Sequence, residues 1–151
     1  MQVPARIEPL TPAQLEQALP LIAAYQRFYE VEQIDAERNR RYFSRFLAPS
    51  DEGRLLGAWI EDDLVGFACL YWHRSSLAAA DTVLMNDLYV EEGRRGGGVG
   101  RALIEASADV TRERGIAILE WATAPDNEPA QRLYDSFGAS RSEWVEYELR
   151  V

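Results

Sequence analysis

The chain has 151 residues, 47% of them apolar and 11% aromatic, which suits one packed core and a single domain over 1–151. Its net charge is −9 and all 16 basic residues are arginine, a balance that speaks against a broad nucleic-acid surface and favours cationic small molecules or basic peptides. Without lysine there is no Schiff-base or phosphate-loop lysine, and with Cys69 the sole cysteine there is no internal disulfide or cysteine-built zinc site.

No apolar run approaches the ~18 residues of a membrane span. The opening Met1–Arg6 lacks the charged-then-apolar plan of a secretory signal. A soluble cytoplasmic protein with no membrane partner and no metal is the expectation.

Ala5–Pro9 reads as a short first strand. Thr11-Pro12-Ala13-Gln14 has the form of a capping box with proline at the first helical position. Leu15, Leu19 and Ile22 follow at helical spacing, with Pro20 expected to kink or divide the helix. A second helix is predicted over Ala36–Leu47. Arg54–Ile60 and Leu64–His73 read as strands joined by a turn at Glu61-Asp62-Asp63, and Thr82–Val90 as a third strand. Val99, Leu103, Ala106 and Val110 share one face of an amphipathic helix that Gly115 ends. Ile116–Ala122 is a strand, Asn127–Phe137 a helix closed by Gly138, and Trp144–Arg150 an alternating last strand. The order β-α-α-β-β-β-α-β-α-β predicts an α/β fold with a sheet of mixed strand direction.

The most informative stretch joins the third of these strands to the amphipathic helix. There Arg94-Arg95-Gly96-Gly97-Gly98-Val99-Gly100-Arg101 brings free backbone N–H groups and a positive helix end to one point, a receptor for a phosphate-bearing ligand. It is not a dinucleotide fingerprint, because Leu103 stands where the third glycine belongs, or Arg101 in the upstream register. A phosphate loop of the lysine-bearing kind is absent for want of lysine.

Arg95-Gly96-Gly97-Gly98-Val99-Gly100 fits the R/Q-x-x-G-x-G/A signature of the GNAT (N-acetyltransferase) superfamily, preceded by a strand ending Asp87-Leu88-Tyr89-Val90. A second block, Asn127-x-x-Ala130-x-x-Leu133-Tyr134-x-x-x-Gly138, resembles the family's later asparagine–tyrosine helix. Together the blocks span about Thr82–Gly138. The wording around Phe28-Tyr29-Glu30 and Glu143-Trp144 looks like the branch containing polyamine (diamine) and histone-type acetyltransferases.

The resemblance implies a mainly antiparallel central sheet flanked by helices, with a splayed parallel strand pair at the cofactor site. It implies acetyl-CoA as cosubstrate, its pyrophosphate over the N–H groups from Arg95 to Arg101 and its pantetheine arm along Leu88, Tyr89 and Val90. The Val90 N–H then serves as an oxyanion donor. Asn127 and Ala130 match positions near the cofactor arm, and Asn127 is also a good N-cap. Tyr134 matches the family's general acid. Asn86 stands where diamine-acetylating relatives carry glutamate, leaving Asp87 as base or amine anchor. Neighbours on a strand face opposite sides, so Asn86 and Asp87 are expected on different faces.

Phe28, Tyr29, Glu30, Asn86 and Glu143 are candidate acceptor-binding residues, with Tyr25, Trp72 and Trp121 as further aromatics. Cys69 and His73, four residues apart on one strand, are ~13 Å apart, too far for thiol activation. The implied activity is acetyl transfer to a primary amine, a polyamine or another small cation, and the resemblance also implies a homodimer. A protein N-terminus or basic tail, and a non-catalytic acyl-CoA-binding domain, stay open as alternatives.

Overall fold

The computed structural model describes residues 3–151; Met1 and Gln2, part of the opening read above for a secretory plan, lie outside them. The chain forms two compact units, Met1–Trp121 and Ala122–Val151.

In the first unit, β1 (Arg6–Pro9), β2 (Gly53–Ile60), β3 (Asp63–Ser75), β4 (Ala80–Val90) and β5 (Leu119–Glu120) form one sheet in that order. The first three pairings are antiparallel and β4–β5 is parallel, so the mixed, mainly antiparallel sheet agrees with expectation. The β2–β3 hairpin closes tightly because Glu61 takes a positive φ of 54°. Helices α1 (Pro12–Phe28) and α2 (Ala36–Phe43) supply one layer, and α3 (Val99–Glu113) a third element of the same unit.

Leu15, Ala18, Leu19 and Ile22 recur at helical spacing along α1 and join Phe43, Leu55, Trp59, Phe67 and Cys69 in one buried cluster. On β3, Phe67 and Cys69 thus point to α1 and α2, and Gly66 points the other way. A Cβ at Gly66 would sit 2.8 Å from the Tyr89 carbonyl oxygen and 3.4 Å from side-chain atoms of Leu103 and Val99. Glycine there lets α3 lie close against the opposite sheet face.

Three expectations need correction here. Pro20 does not divide α1, which runs unbroken over Pro12–Phe28. Pro20 and Glu16 are both exposed, so the Glu16 carbonyl that loses its helical donor stays within reach of water. The second helix stops at Phe43 and continues as a 3₁₀ turn, Ser44–Phe46. The strand predicted over Ile116–Ala122 shrinks to Leu119–Glu120, paired with Val83 and Leu84 of β4. The β3–β4 ladder shifts register just beyond, between Cys69 and Leu70, and a bulge of this kind bends its strand away from its former neighbour.

In the second unit, α4 (Glu128–Ser136) is capped by Asn127, whose side chain accepts the Ala130 N–H at 3.3 Å. Gly138 follows with φ 73°, the left-handed residue expected after a helix. The last expected strand, Trp144–Arg150, is absent: residues 139–151 form no helix or strand, and Trp144 and Tyr147 are 82% and 93% exposed. Alternation makes a segment two-faced, but a strand exists only through a ladder partner, and α4 is the only regular element of its unit.

Candidate active site

The glycine–arginine loop begins as β4 ends. A 3₁₀ turn over Glu92–Arg94 leads to Gly96 at φ 81° and Gly98 at φ 85°. These are left-handed conformations that cost a side-chain-bearing residue about 1–2 kcal/mol. Nothing lies within 4 Å of a Cβ built on either glycine, so the backbone angle and not crowding calls for glycine. Gly98 is the N-cap of α3, and the first hydrogen bond around it is Ala102 N–H to Gly98 O at 3.0 Å. The N–H groups of Val99 and Gly100 in the opening turn have no helical acceptor. With the helix dipole behind them, these donors suit an anion.

The arginines of this loop are partly committed. Arg94 pairs with Asp63 at 3.1 Å and lies 3.9 Å from Glu91. Arg95 donates from Nε to the Val90 carbonyl at 2.9 Å, and its guanidinium lies over the rings of Phe28 (5.2 Å) and Tyr89 (5.5 Å). Phe28, Tyr89, Val90 and Arg95 are thereby brought together at the end of β4.

Past its last pair with β5, Leu84 with Glu120, the edge of β4 facing away from β3 pairs with no strand among the described residues. The Glu91 N–H reaches Val65 O on β3 at 2.8 Å. Backbone groups alternate between the two edges of a strand. Those of Val90 and Leu88 therefore face the free edge, and the Arg95–Val90 bond approaches from it.

The β4 bulge overturns the expected separation of Asn86 from Asp87. Cys69 pairs with Asp87 but Leu70 pairs with Met85, so Asn86 is the extra residue. Both side chains now lie on the α1 and α2 face. Asn86 donates to the Asp87 carboxylate (3.2 Å) and to the Tyr71 hydroxyl (3.2 Å). The Tyr25 hydroxyl of α1 donates to Asp87 Oδ1 at 2.7 Å, and Tyr71 shares a 2.6 Å hydroxyl–hydroxyl contact with Tyr42 of α2.

Asp87 is 7% exposed, and among the described residues no arginine lies within ion-pair distance of it. Burial pushes its carboxyl above the ordinary range, opposed by the hydrogen bonds from Tyr25 and Asn86. The Tyr25 phenol is pushed up by burial and then by the charge of Asp87. The Tyr71 phenol rises through burial and its bond with Tyr42. Both phenols therefore stay protonated, with Tyr25 donating to Asp87, which leaves Asp87 as the group able to take a proton. Burial also raises the Cys69 thiol, with Asp87 adding to it, so Cys69 is an inert core residue. His73 sits at the far end of β3, 3.4 Å from Glu120 and from Thr82.

Tyr29 packs edge-on against Tyr25 at 5.3 Å, and Glu30 follows with φ 59° on the exposed turn after α1. Ala130 and Tyr134 belong to α4 of the second unit, Asn127 is its N-cap, and Glu143 belongs to the exposed tail of the same unit. Sequence reasoning missed the hydroxyl of Tyr71 and its partner Tyr42. A signal was present: Tyr71 lies two residues beyond Cys69, hence on the same strand face.

Comparison with known proteins gives the class. The family model described as acetyltransferase (GNAT) family matches residues 19–139, and the chain belongs to that family. It is 41% identical over 96 residues to a D-amino-acid N-acetyltransferase of Saccharomyces cerevisiae, covering 61% of this chain and 58% of that protein. It is 41% identical over 86 residues to an L-2,4-diaminobutyric acid acetyltransferase of Streptomyces coelicolor, covering 56% and 49%. The chain thus spans about half the length of these curated relatives. Among solved structures, a probable acetyltransferase superposes with a TM-score of 0.83 at 30% identity over 97% of both chains. A ribosomal-protein-alanine N-acetyltransferase from Brucella melitensis gives 0.81 at 23% identity over 99% of this chain and 100% of that one, a likeness of fold. No helix among the described residues is long and apolar enough to cross a membrane.

Proposed function

We propose that this protein acetylates a primary amine of a small molecule, with acetyl-CoA as donor. The observation that carries the reading is the buried Asp87 carboxylate, without a cationic partner, on the same strand end as the free backbone edge of Leu88 and Val90. Acetyl-CoA supplies a thioester whose carbonyl carbon gains a bond to the amine nitrogen as its bond to sulfur breaks. The amides of the Gly96–Gly100 loop hold the pyrophosphate, with Arg101 beside them. Leu88 and Val90 present the strand edge to the pantetheine arm, and the Val90 N–H steadies the carbonyl oxygen.

The acceptor arrives as an ammonium with a pKa near 10, and transfer of its proton to an ordinary carboxylate is steeply uphill. Burial narrows that gap for Asp87 without neutralising it through an arginine. Asp87 takes the proton, directly or through one water, while Asn86 and Tyr25 hold the carboxylate in place. Tyr134 then protonates the departing thiolate. Asn127 and Ala130 at the start of α4 are assigned to the cofactor arm. Phe28, Tyr29, Glu30 and Glu143 are assigned to the acceptor. The relatives named for D-amino acids and diaminobutyric acid support a small amine acceptor, of which a polyamine is one type. The further proposals are a cytoplasmic location and a homodimer, the latter supported by the exposed Trp144, Tyr147 and Leu149.

A thiol-release assay over polyamines, amino acids, aminoglycosides and peptides tests the reading. Turnover of a small amine at a rate lost in Asp87→Asn supports it. Acetyl-CoA binding with no turnover of any amine overturns it in favour of a sensing domain.

A further inference from the structure

Arg95 stands between the two parts of the proposed cofactor site. It directly precedes the Gly96–Gly100 turn, yet its side chain folds back to β4 and donates from Nε to the Val90 carbonyl at 2.9 Å. The Glu91 N–H is committed to Val65 O on β3, so the Val90 N–H and C=O point from the opposite edge of the strand. The guanidinium therefore lies on the backbone edge proposed for the pantetheine arm, and it holds the acceptor that an amide N–H of that arm would use.

What keeps Arg95 there is not an ion pair. Besides the carbonyl, its partners are the rings of Phe28 and Tyr89, 5.2 and 5.5 Å from its Cζ. Tyr89 is buried, whereas Phe28, the last residue of α1, is half-exposed. Among the described residues no carboxylate lies within ion-pair distance of Arg95, while its neighbour Arg94 pairs with Asp63 at 3.1 Å. A carbonyl and two ring faces leave the charge of Arg95 unneutralised. A phosphate neutralises it and offers the guanidinium two parallel charge-assisted hydrogen bonds, a stronger partner than a lone carbonyl.

We infer that Arg95 determines which donor is accepted: its guanidinium covers the Val90 edge against thioesters that lack phosphate, and phosphates seated on the Gly96–Gly100 amides draw it off. This deepens the transferase reading and rests on it. A donor carrying both parts uncovers its own binding edge. A bare pantetheine thioester has to displace the bond from Arg95 Nε to Val90 O and offers the arginine nothing in exchange. Phosphate and arm then bind with positive coupling, and linkage requires each to tighten the other by the same factor.

The probes are S-acetylpantetheine, which has the thioester and arm of acetyl-CoA without pyrophosphate or nucleotide, and inorganic pyrophosphate. Both are used with a small amine that acetyl-CoA turns over. In the wild type, pyrophosphate is expected to lower KM for S-acetylpantetheine about 10-fold while competing with acetyl-CoA, so that one ion acts in opposite directions on two donors. Arg95→Ala is expected to lower KM for S-acetylpantetheine by a similar factor and to abolish its response to pyrophosphate, with kcat moving less than KM. KM for acetyl-CoA should not fall in the same variant. Circular-dichroism melts show whether the variant is folded, and the wild-type experiment stands without it. Use of S-acetylpantetheine that pyrophosphate leaves unchanged or inhibits overturns the inference. So does an Arg95→Ala protein that still responds to pyrophosphate. If acetyl-CoA binds but no amine turns over, the transferase reading fails. Calorimetry then decides the role of Arg95 alone. Pantetheine binding tightened by pyrophosphate in the wild type and not in Arg95→Ala supports it. Uncoupled binding, or no pantetheine binding, overturns it.

Discussion

Tyr25→Phe isolates the group that holds Asp87 ionised. The substitution removes one oxygen and leaves the ring, which packs edge-on against Phe67 at 5.5 Å and Tyr89 at 5.8 Å. The lost bond is a 2.7 Å donation to a buried carboxylate, a class worth about 1.5–3 kcal/mol. For a chain of this size a loss of about 2 kcal/mol lowers Tm by roughly 4–8 °C. The pH dependence carries the sharper expectation. The carboxyl of folded Asp87 is raised above its unfolded value, chiefly by burial. Its folded form binds the proton more tightly, so the group favours the folded state most below the unfolded value of 3.8. That advantage disappears as pH rises through the folded pKa. Tyr25 opposes the shift, so its removal enlarges the loss. The Tm gap between wild type and variant should be small near pH 4 and wide at pH 8. The acidic limb of kcat/KM should move to higher pH in the variant, because a proton on Asp87 stops its work as base. Circular-dichroism melts across pH, with Asp87→Asn completing a double-mutant cycle, measure the first effect, and thiol release measures the second. A Tm gap that does not change with pH, or a limb that stays in place, would refute both the coupling and the assignment of Asp87.

Gly98→Ala forces a side chain into φ 85° and should cost about 1 kcal/mol in urea unfolding. It should also weaken acetyl-CoA binding in calorimetry, and Gly98→Glu should weaken it far more; unchanged affinity for both would remove the loop from the cofactor site. Tyr134→Phe should lower kcat about 100-fold with little change in acetyl-CoA affinity, and a full-rate variant would exclude it as the acid. Asn127→Ala deletes the cap on Ala130 N–H and should cost about 1 kcal/mol, read as faster amide exchange in the first turn of α4. Equal exchange rates would mean that the cap contributes nothing.

The elements most legible in the sequence were those set by local chemistry. The Glu61 turn, the α3 stripe of Val99, Leu103 and Val110, and the Asn127 cap each depend on residues a few positions apart. The glycine–arginine loop was legible for the same reason. What escaped depends on a partner strand. The bulge at Asn86 is a mismatch between β3 and β4, and strict alternation along β4 placed Asn86 and Asp87 on opposite faces. Trp144–Arg150 alternates as a strand should, yet its own unit offers no strand to pair with. The Tyr42–Tyr71 contact joins residues 29 apart on different elements, and neither lies in a motif.

The distribution of charge separates the two halves of the proposed reaction. At the cofactor end, Arg94 is spent on Asp63 and Arg95 on the Val90 carbonyl and two rings. On the proposed reading, phosphate recognition would fall on the amides of the Gly96–Gly100 turn and the α3 dipole, which are part of the backbone. At the acceptor end the arrangement is inverted. Among the described residues no arginine lies within ion-pair distance of Asp87, which is held by neutral donors, Tyr25 and Asn86. An arginine at that position would lower the proton affinity that makes Asp87 useful and would repel an incoming ammonium. Neutral donors steady the carboxylate without doing either, which is what the proposed role of Asp87 as base requires of Tyr25 and Asn86.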